Sequence, residues 1–194
     1  METATPSLNA AYSQALYLLW PVRCPLSQMK AKAILNIIES GMSSALMSFN
    51  NDEWRMRVPS TPGWYFIETN TPPEEFKNVG PPKGQRHYDI PKKVSQSLEM
   101  NEYDFCILPS NNQYYFVYSG EAKNLKARAK EHMSGHPNTG CLALSNYKSL
   151  HAYTWKFYFA LCPNYKDPNE TKLLRTIGEQ AWRSKYGWPI LCGK

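Results

Sequence analysis

This 194-residue sequence is short of several things, and each shortage excludes something. Its five cysteines, Cys24, Cys106, Cys141, Cys162 and Cys192, are scattered and odd in number, with no Cys-x-x-Cys pair among them. That spacing argues against a structural zinc site and is expected of reduced thiols in a cytoplasm. There are four histidines. His132 and His136 stand four apart, but Gly135 and Pro137 flank the second and end a helix before it, which argues against a shared metal. No apolar run approaches the roughly 20 residues of a membrane span. Residues 15–20 are apolar but few, and the acidic Glu2 stands where a secretion signal carries positive charge. Internal repeats and low-complexity tracts are lacking, so one well-buried domain with an appendage is expected.

Aromatic side chains and positive charge are what the sequence has in quantity. Aromatics make up 13% of the residues, the formal net charge is +6 and the pI is about 9.0. The excess is local. Residues 76–95 hold Lys77, Lys83, Arg86, Lys92 and Lys93 against Asp89 alone, and residues 121–160 hold six Lys or Arg against Glu121 and Glu131. Two basic stretches in an aromatic-rich chain suit a polyanion, because neutralised phosphates release counterions.

Tyr114-Tyr115-Phe116-Val117-Tyr118-Ser119-Gly120 predicts a strand of aromatic and β-branched residues closed by a glycine. The Lys- and Ala-rich segment after it predicts a helix on which Arg128 and His132, four apart, share a face looking back at the strand end. A tyrosine at a strand tip, with an arginine and a histidine one turn apart above it, is suited to holding a phosphate. Gly63-Trp64-Tyr65-Phe66-Ile67-Glu68 predicts a second strand, stopped by Asn70, Pro72 and Pro73. Residues 155–161 predict a further strand, and residues 105–108 a short one turned into the 114–120 run by Pro109-Ser110-Asn111-Asn112.

Helices are expected elsewhere. Residues 1 to about 20 read as a lead-in with a short helix. A longer helix over residues 25–49 follows from the stripe Met29, Ala33, Ile37 and Leu46, widened by Ile34, Ile38 and Met42. Short helices are expected over residues 90–99 and 142–150. The clearest start is Asp167 as N-cap, Pro168 at N1 and Glu170 at N3. That helix carries the stripe Leu173, Leu174, Ile177 and Ala181, with Glu179 on another face between Trp182 and Tyr186. Residues 71–104, rich in proline and charge, form a connection longer than plain loops usually are.

Gly63-Trp64-Tyr65 on one strand, Tyr118-Ser119-Gly120 on the next, then Asn124-Leu125, Arg128 eight residues after Gly120, and His132: this series resembles the GIY-YIG nuclease family, in the version found in some of its restriction endonucleases. Glu179 followed by Tyr186 and Pro189 looks like the family's late glutamate helix and the segment behind it. The resemblance covers the core from Gly63 to Cys192. Three departures stand out: over fifty residues separate Tyr65 from Tyr118, Glu121 stands where a lysine often sits, and Cys192 takes about the place of a common asparagine.

The resemblance implies an α+β fold with a small central antiparallel sheet flanked by helices. It implies a nuclease domain over residues 61–194 with an insertion at about residues 71–104, and a helical extension over residues 1–60, read from the residues alone, lies outside it. It also implies a Mg²⁺-dependent DNA endonuclease, with Mn²⁺ as a substitute. Tyr65, Tyr118, Arg128, His132 and Glu179 are then the catalytic residues, with Glu179 as metal ligand. A single carboxylate is enough, since Mg²⁺ keeps several waters. Tyr65 is the favoured group on the attacking water, but whether Tyr65 or His132 takes the proton is open. Arg86, His87, Lys92, Lys93 and Lys123 are the expected contacts to double-stranded DNA, arginine for guanine and lysine for phosphate. Cutting a palindrome favours a homodimer. The alternatives are a catalytically inactive nucleic-acid-binding module on the same scaffold and a structure-specific nuclease.

Overall fold

A four-stranded antiparallel sheet, a two-stranded parallel one and five α-helices build the described part of this α+β protein. The structure, a computed structural model, describes residues 25–99, 105–110, 113–163 and 166–192, and side chains from residue 30 onward. The elements in chain order begin with α1 (Pro25–Ser40), β1 (Ser43–Leu46), β2 (Gly63–Thr69), α2 (Pro73–Lys77), α3 (Ile90–Glu99) and β3 (Cys106–Ile107). They continue with β4 (Tyr115–Ala122), α4 (Leu125–Ser134), β5 (Trp155–Leu161), α5 (Pro168–Tyr186) and β6 (Trp188–Pro189). The large sheet runs β1-β5-β2-β4, so β4 is an edge strand.

Alternation along β2 divides the interior in two. Trp64 and Phe66 face α1 and α5, where they meet Ile34, Ile38, Ala160 and Trp182. Tyr65 and Ile67 face the other way, into the larger core with Val117, Leu125, Ala129, Leu142, Phe157 and Ile190. Each such side chain, fully buried, contributes about 1.5–3 kcal/mol of transfer free energy. Trp64 also locks α5 in place. Its indole Nε1 donates to the Arg175 carbonyl at 2.8 Å, and a Cβ at Gly178 would lie 2.3 Å from that nitrogen. Only glycine lets the helix sit this close, and Glu179 is the next residue.

Helix α4 is held at its start from two directions. Asn124 caps it by accepting from Ala127 N. The carbonyls of Pro59 and Thr61, in the proline-bounded turn before β2, accept from Lys126 N and Leu125 N. Three first-turn donors are thereby satisfied, and the helix is oriented relative to β2.

Several expectations need correction. The helix over residues 25–49 stops at Ser40: Gly41 N closes on the Ile37 carbonyl at 3.0 Å, and Ser43–Leu46 pairs antiparallel with β5 from Ser43↔Phe159 to Leu46↔Lys156. The segment before β2 therefore supplies a strand to the sheet as well as a helix. The short strand near residue 106 does not form a hairpin with β4; it pairs in parallel with β6, Cys106 against Trp188. Residues 142–150 form two short 3₁₀ segments, Leu144–Asn146 and Lys148–Ala152. The lead-in over residues 1–20 and the turn residues Asn111 and Asn112 lie outside the described residues.

The connection between β2 and β4 is built into the protein. Phe76 of α2 lies edge-on to Trp155, Ile90 and Val94 of α3 are buried in the main core, and Ser97 Oγ donates to the Ile190 carbonyl at 2.9 Å. No helix among the described residues is long and apolar enough to cross a membrane.

Candidate active site

The pairing of β2 with β4 brings the first components together. Tyr65 lies opposite Gly120 and Ile67 opposite Tyr118, so both tyrosines point to the same side of the sheet. Their rings stack with centroids 5.9 Å apart, and Tyr65 stacks on Phe157 of β5 at 5.3 Å on its other side. The phenol of Tyr65 extends over Gly120, where a Cβ would lie 2.4 Å from its oxygen. The strand continues two residues past Gly120, to Ala122, and a glycine at this point within β4 is a requirement of the site.

Helix α4 brings the other two. Arg128 Nε donates to the Tyr65 oxygen at 2.9 Å while its Nη1 bonds Glu131 at 2.8 Å. His132 Nε2 lies 3.0 Å from the same phenol oxygen. The tautomer follows from the ring's other nitrogen. Nδ1 accepts from Leu142 N at 3.3 Å, so in the neutral ring Nε2 carries the hydrogen and donates to Tyr65. His132 is completely buried, and burial, helped by the charge of Arg128, holds its pKa well below the usual histidine value. It is a neutral donor.

The phenol oxygen thus accepts two N–H bonds, and its own hydrogen is left for a third group. Burial raises the pKa of Tyr65 above that of a free phenol, against the lowering pull of Arg128. Tyr118 is raised by the same cause. Burial works against the charged form of Arg128, but Tyr65, Tyr118 and Glu131 outweigh it and hold the guanidinium firmly protonated.

Glu179 approaches from the opposite face of the edge strand. It makes no direct bond to the tyrosine cluster; its partner is Arg183, one turn along α5. Its charge is nevertheless felt there: it raises the pKa of Tyr65, and Arg128 in turn lowers that of Glu179. Burial is the largest influence on Glu179 and raises it, with Glu121 adding to the rise. Arg183 also bonds Ser119 Oγ at 2.9 Å and the Ser119 carbonyl at 3.1 Å. Cys192 fills the space beside them, its sulfur accepting from Ser119 N at 3.3 Å and from Arg183 Nη2 at 3.4 Å. Glu121, at the position of the expected lysine, pairs with Arg175.

Among the described residues, no three His, Cys, Asp or Glu side chains gather as metal ligands. Calcium or zinc would want such a group; Mg²⁺, which keeps most of its waters and takes one or two carboxylates, does not. Glu179, largely desolvated and paired among the described residues with Arg183 alone, fits that demand if Arg183 moves aside, with Glu121 nearby.

The expected DNA contacts divide. Arg86, Lys92 and Lys123 are exposed. His87 is half-buried, and its Nδ1 has no hydrogen-bond partner among the described residues. Lys93 is half-buried with its Nζ 4.3 Å above the ring of Tyr88. Tyr88 is the residue that sequence reasoning missed: its hydroxyl lies 3.2 Å from that of Tyr118 and its ring stacks on Tyr118 at 6.0 Å. The one available signal was local, an Asp-Ile-Pro helix start directly after it.

Comparisons with family models, curated proteins and solved structures find no match to this chain.

Proposed function

We propose that the protein is a Mg²⁺-dependent endonuclease of double-stranded DNA, of restriction or host-defence type, on a GIY-YIG-like scaffold. The observation that carries this reading is the Tyr65 phenol oxygen, which receives N–H bonds from both Arg128 and His132. Two donors on one oxygen, one of them cationic, oppose the burial that keeps Tyr65 protonated, and the positive charge that a bound Mg²⁺ would add is needed for the phenol to lose its proton. With Nε2 protonated, His132 orients Tyr65 and is not itself the base.

Hydrolysis of a phosphodiester needs a base for the attacking water, cationic stabilisation of the phosphoryl oxygens and relief of the leaving oxygen. Tyr65 orients the water, and takes its proton once the phenol's own has been lost to solvent. Arg128 has Nε–H and one Nη1–H committed, so Nη2 offers both of its hydrogens to a phosphoryl oxygen. Tyr118 packs on Tyr65 and limits where the phosphate can sit. Glu179 would hold a Mg²⁺, or Mn²⁺ in its place, and the ion would supply positive charge where negative charge builds on the phosphate. Arg183 has to release that carboxylate for this to happen.

The net charge of +6 and the exposed Arg86, Lys92 and Lys123 suit a DNA backbone. The free thiols Cys106, Cys141, Cys162 and Cys192 suit a reducing cytoplasm. A palindromic target would call for a homodimer. Incubating plasmid and genomic DNA with protein and Mg²⁺, alongside Arg128→Ala, tests the reading; cleavage by the wild type alone is expected, and sequencing the ends gives the recognition site.

A second reading, a catalytically inactive nucleic-acid-binding module, is favoured by the Glu179–Arg183 ion pair, which occupies the one carboxylate the chemistry needs. Under it, both proteins bind DNA and neither cuts. A structure-specific nuclease would instead cut only branched or single-stranded substrates in a panel.

A further inference from the structure

Four rings run in a stack through the site: Phe157, Tyr65, Tyr118 and Tyr88, at successive centroid separations of 5.3, 5.9 and 6.0 Å. The ammonium of Lys93 closes the far end, 4.3 Å from the Tyr88 centroid. The first three rings come from the sheet. Tyr88 and Lys93 come from the connection between β2 and β4.

A local device holds the two together. Asp89 is the N-cap of α3: its Oδ1 accepts from Lys92 N at 3.1 Å and its carbonyl from Lys93 N at 3.0 Å. Tyr88 is then the residue before the cap and Lys93 the fourth of the helix, the two positions that pack together in a hydrophobic staple. A staple needs two apolar groups. Here one place holds a cation set over a ring face.

The other cations around the site are paired: Arg128 with Glu131, Arg175 with Glu121, Arg183 with Glu179. Lys93 makes no ion pair among the described residues. Asp89 and Cys192 act on it through charge, without a hydrogen bond. Burial lowers its pKa more than they raise it. A half-buried ammonium left this way is poorly compensated unless an anion joins it.

We infer that Lys93 contacts a phosphate of the substrate strand within the reacting site, and that Tyr88 is a positioning residue that sets both Lys93 and the phenol of Tyr118. This rests on the endonuclease reading and deepens it: the connection between β2 and β4 supplies the site itself, beyond any surface contact with DNA. Tyr88 acts through the 3.2 Å contact of its hydroxyl with that of Tyr118.

The test uses the full chain with Lys93→Met, Lys93→Arg and Tyr88→Phe, each checked for a wild-type circular dichroism spectrum. Two quantities are read: the single-turnover cleavage rate with Mg²⁺, and the salt dependence of duplex binding in EDTA. Lys93→Met should slow cleavage about 100-fold, as a small misplacement of the substrate strand does. It should also reduce the salt slope by about one unit, as loss of one phosphate contact does. Lys93→Arg should restore the slope and return the rate to within about tenfold of wild type, because charge is the operative property. Tyr88→Phe should keep the slope and lose rate. A Lys93→Met protein with wild-type rate and slope overturns the inference, as does an arginine variant no better than the methionine one. A wild type that cuts nothing sinks the endonuclease reading, while the salt slopes still decide whether Lys93 meets phosphate.

Discussion

The phenol oxygen of Tyr65 lies 3.0 Å from Nε2 of His132, and the backbone of Leu142 decides which of them donates. Because Leu142 N–H already points at Nδ1, the imidazole hydrogen sits on Nε2, facing Tyr65. The two candidate bases are therefore ranked by a main-chain amide ten residues from the histidine. The same bond ties α4 to the loop that follows it, so the site and the fold share one connection.

His132 makes stability depend on pH. Its folded pKa lies well below the usual value while an unfolded histidine titrates near ~6.5, so below that pH the unfolded chain binds the extra proton. Stability is fully present above about pH 6.5 and falls as the pH drops, by up to ~1.4 kcal/mol per unit. Thermal melts between pH 7.5 and 5 should show the fall. His132→Gln keeps a donor for Tyr65 and has no titration, so its melts should lose this part of the slope; an unchanged slope would assign the effect to other groups.

Gly120→Ala tests the close approach beneath Tyr65. The added methyl would stand 2.4 Å from the phenol oxygen and 2.5 Å from Cζ, so the ring must move. A shift of ~1 Å in a catalytic group can cost about 100-fold in rate, and overpacking typically costs ~1–3 kcal/mol. A folded protein of lower melting temperature with about 100-fold slower cleavage is expected. Wild-type activity in this variant would mean that the phenol position does not matter.

Glu179→Ala should abolish cleavage while leaving DNA affinity within a few fold, measured by fluorescence anisotropy in EDTA, because the proposed role of Glu179 is to hold the metal. Arg183, freed from the carboxylate, keeps its bonds to Ser119, which preserves the fold at that edge. Normal turnover would remove Glu179 from the mechanism.

Lys92→Ala should lower the salt slope of duplex binding by about one unit without changing the single-turnover rate, since this exposed lysine meets phosphate outside the reacting site. A slope equal to wild type would take the outer face of α3 out of the interface.

The strands and helices that form the tyrosine cluster were legible because their signals are local. Aromatic runs mark β2, β4 and β5, and Asn124 and Asp167 cap the helices they precede. Arg128 and His132 reach Tyr65 because a four-residue spacing on a helix fixes a shared face. What local reasoning missed depends on pairing at a distance. Leu46 fits a helical stripe as well as it fits β1, and pairing with β5 decides between them. Nothing near residue 106 announces its parallel partner 82 positions later. Tyr88 sits in a segment that reads as a charged surface loop, and its place against Tyr118 comes from α3 burying Ile90 and Val94. Arg183 carries no local signal, because its bonds to Ser119 and Cys192 join positions 64 and 9 residues away.

The most direct measurement is the conversion of supercoiled plasmid to nicked and linear forms with Mg²⁺, by wild type and by Tyr65→Phe at matched concentration. The substitution removes one oxygen and leaves the ring stack with Phe157 and Tyr118 in place. The account predicts Mg²⁺-dependent cutting by the wild type and a loss of about 100- to 10,000-fold in the phenylalanine variant, the range for removal of a general base. Equal cutting by the two proteins, or Mg²⁺-independent cutting by either, contradicts it.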